Sequence, residues 1–511
     1  MYSTIISGTL LGLKAQRVNV EVDISSGLPS FAMVGCAGNE VKESRERVGA
    51  ALKNIGFPVP LARITINLSP ADIHKDGTSY DLPIALGILC SSGMFPTECF
   101  ENIMFLGELG LNGEIRGVRG TLPLVRGAAA SGITEFIVPA DNVYEASVIP
   151  GIKVRGASSL TQIMDYLRTK NEEILPAISS DFTNSFVPGS SDYDIDFSDI
   201  SGQNAAKKAA VIAAAGFHSM LMTGPPGAGK TMIAKRIPTI LPEMTLDESI
   251  EVTSIYSIAG KLPSGQALIT ERSFQAPHHS VSTVALIGGG AKPRPGLISL
   301  AHRSVLFLDE LPEFDRRTLD SLRQPLEDHH VNISRASYTA SYPADFLLIS
   351  AMNPCPCGYF PDRNKCRCTE NAIQKYMGKI SGPILDRIDL CVELQAVNIS
   401  DIKSTSDNIT SKTMRSKALT AREIQKERFV GTNYRFNSDI SSSDIEEYCH
   451  LGKKENKYIE DIFSKLGLSV RSYHRILRVS RTIADINESK EIKCEHLLEA
   501  VSFRPDFTYL K

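Results

Sequence analysis

No stretch of about 18 consecutive apolar residues occurs in this chain, so no helix is expected to span a membrane. Charge of one sign is also missing: 55 basic and 58 acidic residues leave a formal net charge of −3. A balance that close to zero means that any contact with a polyanion must come from a local basic patch. Ten cysteines in 511 residues fall far short of a disulfide scaffold, so clustered cysteines point to metal before disulfide. The N-terminal apolar stretch has no basic residue before it, Gly8 and Gly12 interrupt it, and Lys14 follows. It reads as a strand and not a signal peptide, and a cytoplasmic protein without membrane partners is expected.

What is present divides into segments. The length suits two to four domains. Residues 1–168 alternate β-rich runs (18–24, 64–68, 136–139) with helical ones (42–54, 122–132), an α/β pattern with its own core. Residues 169–198 are rich in Ser, Asp, Asn, Pro and Gly and read as a linker. A second α/β unit spans 199–397. From 398 to 511 helical periodicity takes over, as in 440–451 and 472–487, which predicts an all-α domain.

The second unit carries a phosphate-binding motif. Gly224-Pro225-Pro226-Gly227-Ala228-Gly229-Lys230-Thr231 is a complete Walker A sequence. Its glycines let the backbone curl so that N–H groups face phosphates. Lys230 is expected to reach the β- and γ-phosphates, and the Thr231 hydroxyl to hold Mg²⁺. A short apolar strand (219–223) enters the loop and a helix (232–241) is expected to leave it.

Further along, VLFLDE (305–310) reads as a buried parallel strand ending in two carboxylates. Asp309 would orient Mg²⁺, and Glu310 would act as general base on the attacking water. A buried strand over 345–351 delivers Asn353, an amide placed to hold that water or simply to form a turn before Pro354. Arg387 in LDRID suits an arginine finger acting on a neighbouring subunit's ATP, which requires a ring or arc of copies. Arg471, Arg475, Arg478 and Arg481 fall within about 120° of one helix face. They form either a solvated basic face or, for Arg471, a cation reaching back to the γ-phosphate.

Cys355, Cys357, Cys366 and Cys368 form C-x-C, eight residues, C-x-C. Four thiolates around a turn-rich loop suit tetrahedral structural Zn²⁺, and ordinary free thiols are the alternative. The remaining cysteines are expected to be packing residues. Lys292 and Arg294 after a triple glycine, and Arg335 in an alternating hairpin over 330–344, are candidate contacts to a DNA backbone. His278 and His279 are read as polar surface and given no metal.

The order of FSDISGQ, GPPGAGKT, QAPHHSVS, the 288–314 block, LRQPLE, AMNPCPCG, ILDRIDL and VRSYHRILRVSRTIAD resembles the YifB/ComM group of magnesium-chelatase-like AAA+ ATPases, over nearly the whole chain. That resemblance implies a multidomain α/β protein: a Lon-protease-like N-terminal domain, a parallel-sheet motor and an all-α lid. It implies ATP and Mg²⁺ as cofactors, adenine contacts at Ile200 and Gln203, and a homo-hexameric motor that migrates branched DNA during natural transformation. Residues 74–79 resemble the serine segment of Lon, which puts the serine at Ser79. The matching lysine position holds Leu122, and no lysine lies between Lys75 and Lys153, so a protease fold without protease chemistry is expected. Two rivals to the DNA motor are a protein-remodelling or metal-insertion ATPase and an ATP-dependent protease; Leu122 speaks against the protease.

Overall fold

The computed structural model describes residues 1–178, 186, 193–263, 265–290, 293–335, 338–396 and 409–504. Its contacts divide the chain into two compact units. One comprises Met1–Val187 with Thr245–Thr270 and Asn332–Tyr342; the other comprises Pro188–Met244, Glu271–Val331 and Pro343–Lys511. The first unit thus takes in two segments from within the span read as motor.

The first unit is built on an eight-stranded mixed sheet. Its centre is a long hairpin, Tyr2–Leu11 against Lys14–Ser25, with Leu11 paired to Lys14. Gly12, at φ +63, supplies the positive φ that so short a turn needs. Side chains alternate across the sheet. Ile5, Val20 and Val22 face a cluster that includes the fully buried helix Asp81–Ser91. Ile6 faces the other side, where Leu124 and Val125 of helix Thr121–Ala130 pack on Met104 and Phe136. Burying each such side chain is worth about 1.5–3 kcal/mol.

Helix Leu246–Ala259 joins this unit because its Ile250 is buried with Leu122, Val148 and Leu268. The Gly120 N–H also donates to the Ser257 carbonyl at 3.3 Å. Leu122 is therefore a fully buried core residue of an apolar cluster. Lys75 is buried too, its ammonium donating to the Pro70 carbonyl.

The second unit holds a five-stranded sheet in the order Phe274–Gln275, Val305–Leu308, Leu347–Met352, Met220–Thr223, Leu390–Glu393. Every neighbouring pair is parallel. The middle strands are buried throughout, which explains their unbroken apolar runs. Helices Ser411–Arg428, Lys453–Leu466, Val470–Ile486 and Cys494–Ser502 follow, sharing one core with the sheet. One helical expectation fails here: over 440–451 only Ile445–Tyr448 is helical. Apolar residues recur in that stretch because Ile440 and Leu451 reach the core from irregular backbone on either side of the single turn that carries Ile445.

Candidate nucleotide site

A parallel sheet delivers the ends of all its strands to one edge. Strand Met220–Thr223 runs into the Walker A loop, Val305–Leu308 into Asp309 and Glu310, and Leu347–Met352 into Asn353. These three strands are adjacent, with the Asn353 strand in the middle. Residues separated by more than a hundred positions meet for that reason alone.

The contacts follow. The Thr231 hydroxyl donates to Asp309 Oδ2 at 2.9 Å. Lys230 Nζ donates to the carbonyls of Gly224 at 2.6 Å and Pro225 at 3.0 Å, and to Asn353 Oδ1 at 3.0 Å. Burial pushes the Lys230 ammonium below its ordinary value, with Asp309 and Glu310 opposing. Gly227 and Gly229 stand at φ +78 and +92 with nothing near a would-be Cβ, so glycine is required for backbone conformation and not for space. The helix leaving the loop begins at Lys230, earlier than expected, and tightens to a 3₁₀ turn at Ile237–Ile240, where Pro238 cannot continue it.

Gln203 Nε2 donates to the carbonyls of Ala228 at 3.2 Å and Gln395 at 2.7 Å, tying its segment to the loop. Ile200 is buried in the core, and its carbonyl accepts from Lys207. Glu310 stands at φ +51 with its side chain beside His279, Nδ1 to Oε2 3.4 Å. Of the histidine pair read as polar surface, His278 is exposed, while His279 is half-buried beside Glu310.

The cysteine loop is also part of it. The sulfurs of Cys355, Cys357, Cys366 and Cys368 all lie within 4.8 Å of one another. Separations of 3.3, 3.6 and 3.8 Å lie at or just below the ~3.8 Å expected between thiolates 2.3 Å from a tetrahedral zinc. A backbone hydrogen bond from Tyr359, with the neighbouring thiols, brings Cys357 down to about 6. A backbone bond from Cys357 favours the Cys368 thiolate, but the surrounding sulfurs outweigh it and push that thiol up to about 11. Four thiolates this close repel one another without a cation among them. The residues fit a closed metal site. The loop also touches the phosphate loop: a Cβ on Gly358 would lie 2.5 Å from Pro226 Cδ and 3.7 Å from Asn353 Cγ. No sequence signal marks that contact.

Arg387 lies at the opposite edge, where strands begin. Its carbonyl accepts from Ser219, before Met220–Thr223, at 2.6 Å. The five residues to Gly224 at about 3.3 Å each put it roughly 16 Å from the loop of its own chain. Arg387 pairs with Glu327, and Arg471 reaches the same carboxylate at 3.4 Å. Arg475 donates to the Asp386 carbonyl at 2.5 Å. These groups line a cavity of about 370 Å³ with Arg478 and Asp389. Arg471 is therefore at the edge away from its own chain's phosphate loop, which corrects the reach-back reading. A uniformly solvated face is also corrected, since Arg475 and Arg481 are buried, the latter on Asp485 at 3.1 Å.

Among the DNA candidates, Arg294 is exposed in the small hairpin Gly288–Gly289 with Arg294–Pro295. Lys292 lies outside the described residues. Arg335 ends strand His330–Arg335.

A parallel sheet with a phosphate loop, two carboxylates and an amide on one edge is the arrangement of a nucleotide-binding fold of the AAA+ type. Family models agree: the description "Magnesium chelatase, subunit ChlI" matches residues 196–402, "Subunit ChlI of Mg-chelatase" 20–142, and the ChlI C-terminal model 408–504. The chain belongs to the YifB/ComM family of magnesium-chelatase-like AAA+ ATPases. The competence protein ComM of Haemophilus influenzae is 43% identical over 501 residues, 98% of this chain and 97% of that protein. YifB of Escherichia coli K12 is 40% identical over 495 residues, 97% and 95% of the two chains. Lon protease 2 of Bacillus subtilis is 26% identical over 169 residues, 31% of this chain and 30% of its own. Among the described residues no helix is long and apolar enough to cross a membrane.

Proposed function

We propose that this chain assembles into a ring, a hexamer by resemblance, and couples ATP hydrolysis to remodelling of branched or single-stranded DNA. The observation that carries the ATPase part is the meeting of Lys230, Thr231, Asp309 and Asn353 through direct hydrogen bonds at one sheet edge, with Glu310 beside them. Lys230 would exchange its carbonyl and amide partners for phosphate oxygens. Thr231 and Asp309 would hold Mg²⁺, which offsets charge on the β- and γ-phosphates. Glu310 would take a proton from the attacking water, and Asn353 would keep that water in line.

Arg387 would act on the ATP of the neighbouring subunit. Its buried Nε and that of Arg478 have no hydrogen-bond partner among the described residues. Arg471 beside it would serve the same neighbour. The four cysteines would hold structural Zn²⁺, whose chemistry is to lock the loop that touches Pro226 and carries Asn353.

The DNA part is supported by the relative named a competence protein and by exposed Arg294 on a glycine-flanked hairpin. ATPase rate measured with single-stranded, duplex and four-way-junction DNA tests it, with Glu310→Gln as control. Stimulation that falls steeply with salt is expected. No stimulation by any of the three at low salt would reject the DNA substrate.

A further inference from the structure

The first unit holds a second group of reactive side chains, beyond the ends of two neighbouring strands. Strands Ser30–Val34 and Arg63–Ser69 run parallel, so the segments that follow them leave the sheet at the same edge. There Ala37 and Lys75 form a parallel β-bridge, which sets Cys36 beside His74 and Gly38 beside Asp76. Side chains alternate along extended backbone, so His74 and Asp76 share one face while Lys75 turns inward and is buried.

The expectation that cysteines outside the metal loop pack in cores fails at Cys36, the one exposed thiol among the ten. It stands at φ +55, uncommon for a residue with a Cβ. Its Sγ lies 3.5 Å from His74 Nδ1, and His74 Nε2 lies 3.2 Å from Asp76 Oδ2. The ring thus meets a thiol at one nitrogen and a carboxylate at the other. Placed on opposite sides of the ring, the three groups cannot converge on one metal ion. They have instead the arrangement of a nucleophile, its base and a group that orients the base. Glycine at position 38 admits the carboxylate, since a Cβ there would lie 2.2 Å from Asp76 Oδ1. Burial pushes the Lys75 ammonium below its ordinary value, with Cys36 and Asp72 opposing, so a cation also lies near the sulfur.

We infer that Cys36 is an activated thiol at which the chain takes up one half of a small disulfide as a mixed disulfide. Asp76 accepts from Nε2–H, which turns the Nδ1 lone pair toward the thiol. Nδ1 takes the thiol proton as the Cys36 sulfur bonds to one sulfur of the small disulfide. That molecule's own S–S bond breaks, and its second sulfur leaves with the electron pair and collects the proton from His74. Cys36 is oxidised and the small disulfide reduced by the same two electrons. Acyl transfer is a poorer match. The Gly38 N–H donates to the Lys75 carbonyl at 2.8 Å and the Lys75 N–H to the Cys36 carbonyl at 3.1 Å, which spends backbone donors that an oxyanion needs and a departing thiolate does not. The site uses neither Ser79 nor position 122.

The test incubates the full-length chain with oxidised glutathione and follows the mixed disulfide at each cysteine by peptide mass spectrometry. Cys36 should be modified ahead of the other cysteines outside the metal loop. An ordinary thiol is only a few per cent thiolate at neutral pH, so losing the base should slow Cys36 about 10–30-fold in His74→Gln. Asp76→Asn, which loosens the tautomer, should give a rate between the two. Adding it to His74→Gln should cause no further loss. At about pH 10 an exposed thiol ionises unaided, so His74→Gln should then react within about twofold of wild type. That convergence separates a base from a side chain that merely supports the turn. A His74→Gln rate equal to wild type at neutral pH overturns the inference. So does a deficit that persists in alkali, or a Cys36 that reacts no faster than the other cysteines outside the metal loop.

Discussion

The two edges of the motor's parallel sheet carry polar groups in opposite states. At the edge where strands end, Lys230, Thr231, Asp309 and Asn353 satisfy one another. At the edge where strands begin, Arg387 and Arg471 share the carboxylate of Glu327, and the buried Nε atoms of Arg387 and Arg478 find no hydrogen-bond partner among the described residues. The first edge is a site already folded around the position of a ligand. Arg387 lies roughly 16 Å from the phosphate loop of its own chain, which is why the proposed function gives it to a neighbouring subunit.

The largest effect should come from the edge that carries Arg387. Arg387→Ala is expected to lower kcat by about 10³. Mixing it with Glu310→Gln should restore part of the rate, because some sites would then pair an intact glutamate with an intact arginine. Mixed rings as inactive as either parent would break the comparison. At the satisfied edge, removing metal with a chelator should free the cysteine loop from Pro226. About a tenfold loss of ATP affinity, near 1.4 kcal/mol, is expected by fluorescent-nucleotide titration. Gly358→Ala should mimic it, since its Cβ would press on Pro226 from a backbone at φ +85.

Smaller effects sharpen the picture. Glu327→Gln removes one half-exposed partner from Arg387, a pair worth up to about 1 kcal/mol, so kcat should change by no more than about fivefold. The smallest effect concerns His329 and Asp345 at the same edge, 3.2 Å apart. The hydrogen bond that His329 donates to the Asp345 carboxylate holds the imidazole above 6.5. Burial opposes the Asp345 charge, but His329 and Arg303 keep its carboxyl below 3.8. The His329 contribution is full below pH 6.5 and lost as pH rises through its raised value; that of Asp345 is full above pH 3.8 and lost as pH falls through its lowered one. Denaturant unfolding should show the pair's stabilisation, at most about 1 kcal/mol for so exposed a histidine, greatest between those limits and absent in His329→Gln.

The four residues at the satisfied edge, and Glu310 beside them, were legible because each comes after a buried strand, and a run such as VLFL followed by Asp-Glu is a local pattern. The cysteine cluster was legible for the same reason, four thiols within one loop. Glu327 and His279 were not. Each is an ordinary polar residue in its own neighbourhood, and its significance comes from a partner distant in sequence. The helix expected over 440–451 failed because apolar spacing marks burial, and turns bury side chains as well as helices do.

The sequence by itself determined the chemistry available: a phosphate loop whose glycines require positive φ, two carboxylates, an amide, four clustered thiols, and no lysine where a Lon-type protease would need one. Only the tertiary structure decided which of these meet. Parallel strand order put the Asn353 strand between the other two and sent Arg387 to the far edge. Packing buried Leu122 against Ile250 and set the Gly358 loop on Pro226. The reason is physical: local residue types fix backbone conformation and reactivity within a few positions, whereas neighbours across a sheet or a core are chosen by burial of surfaces that the chain brings together only when it folds.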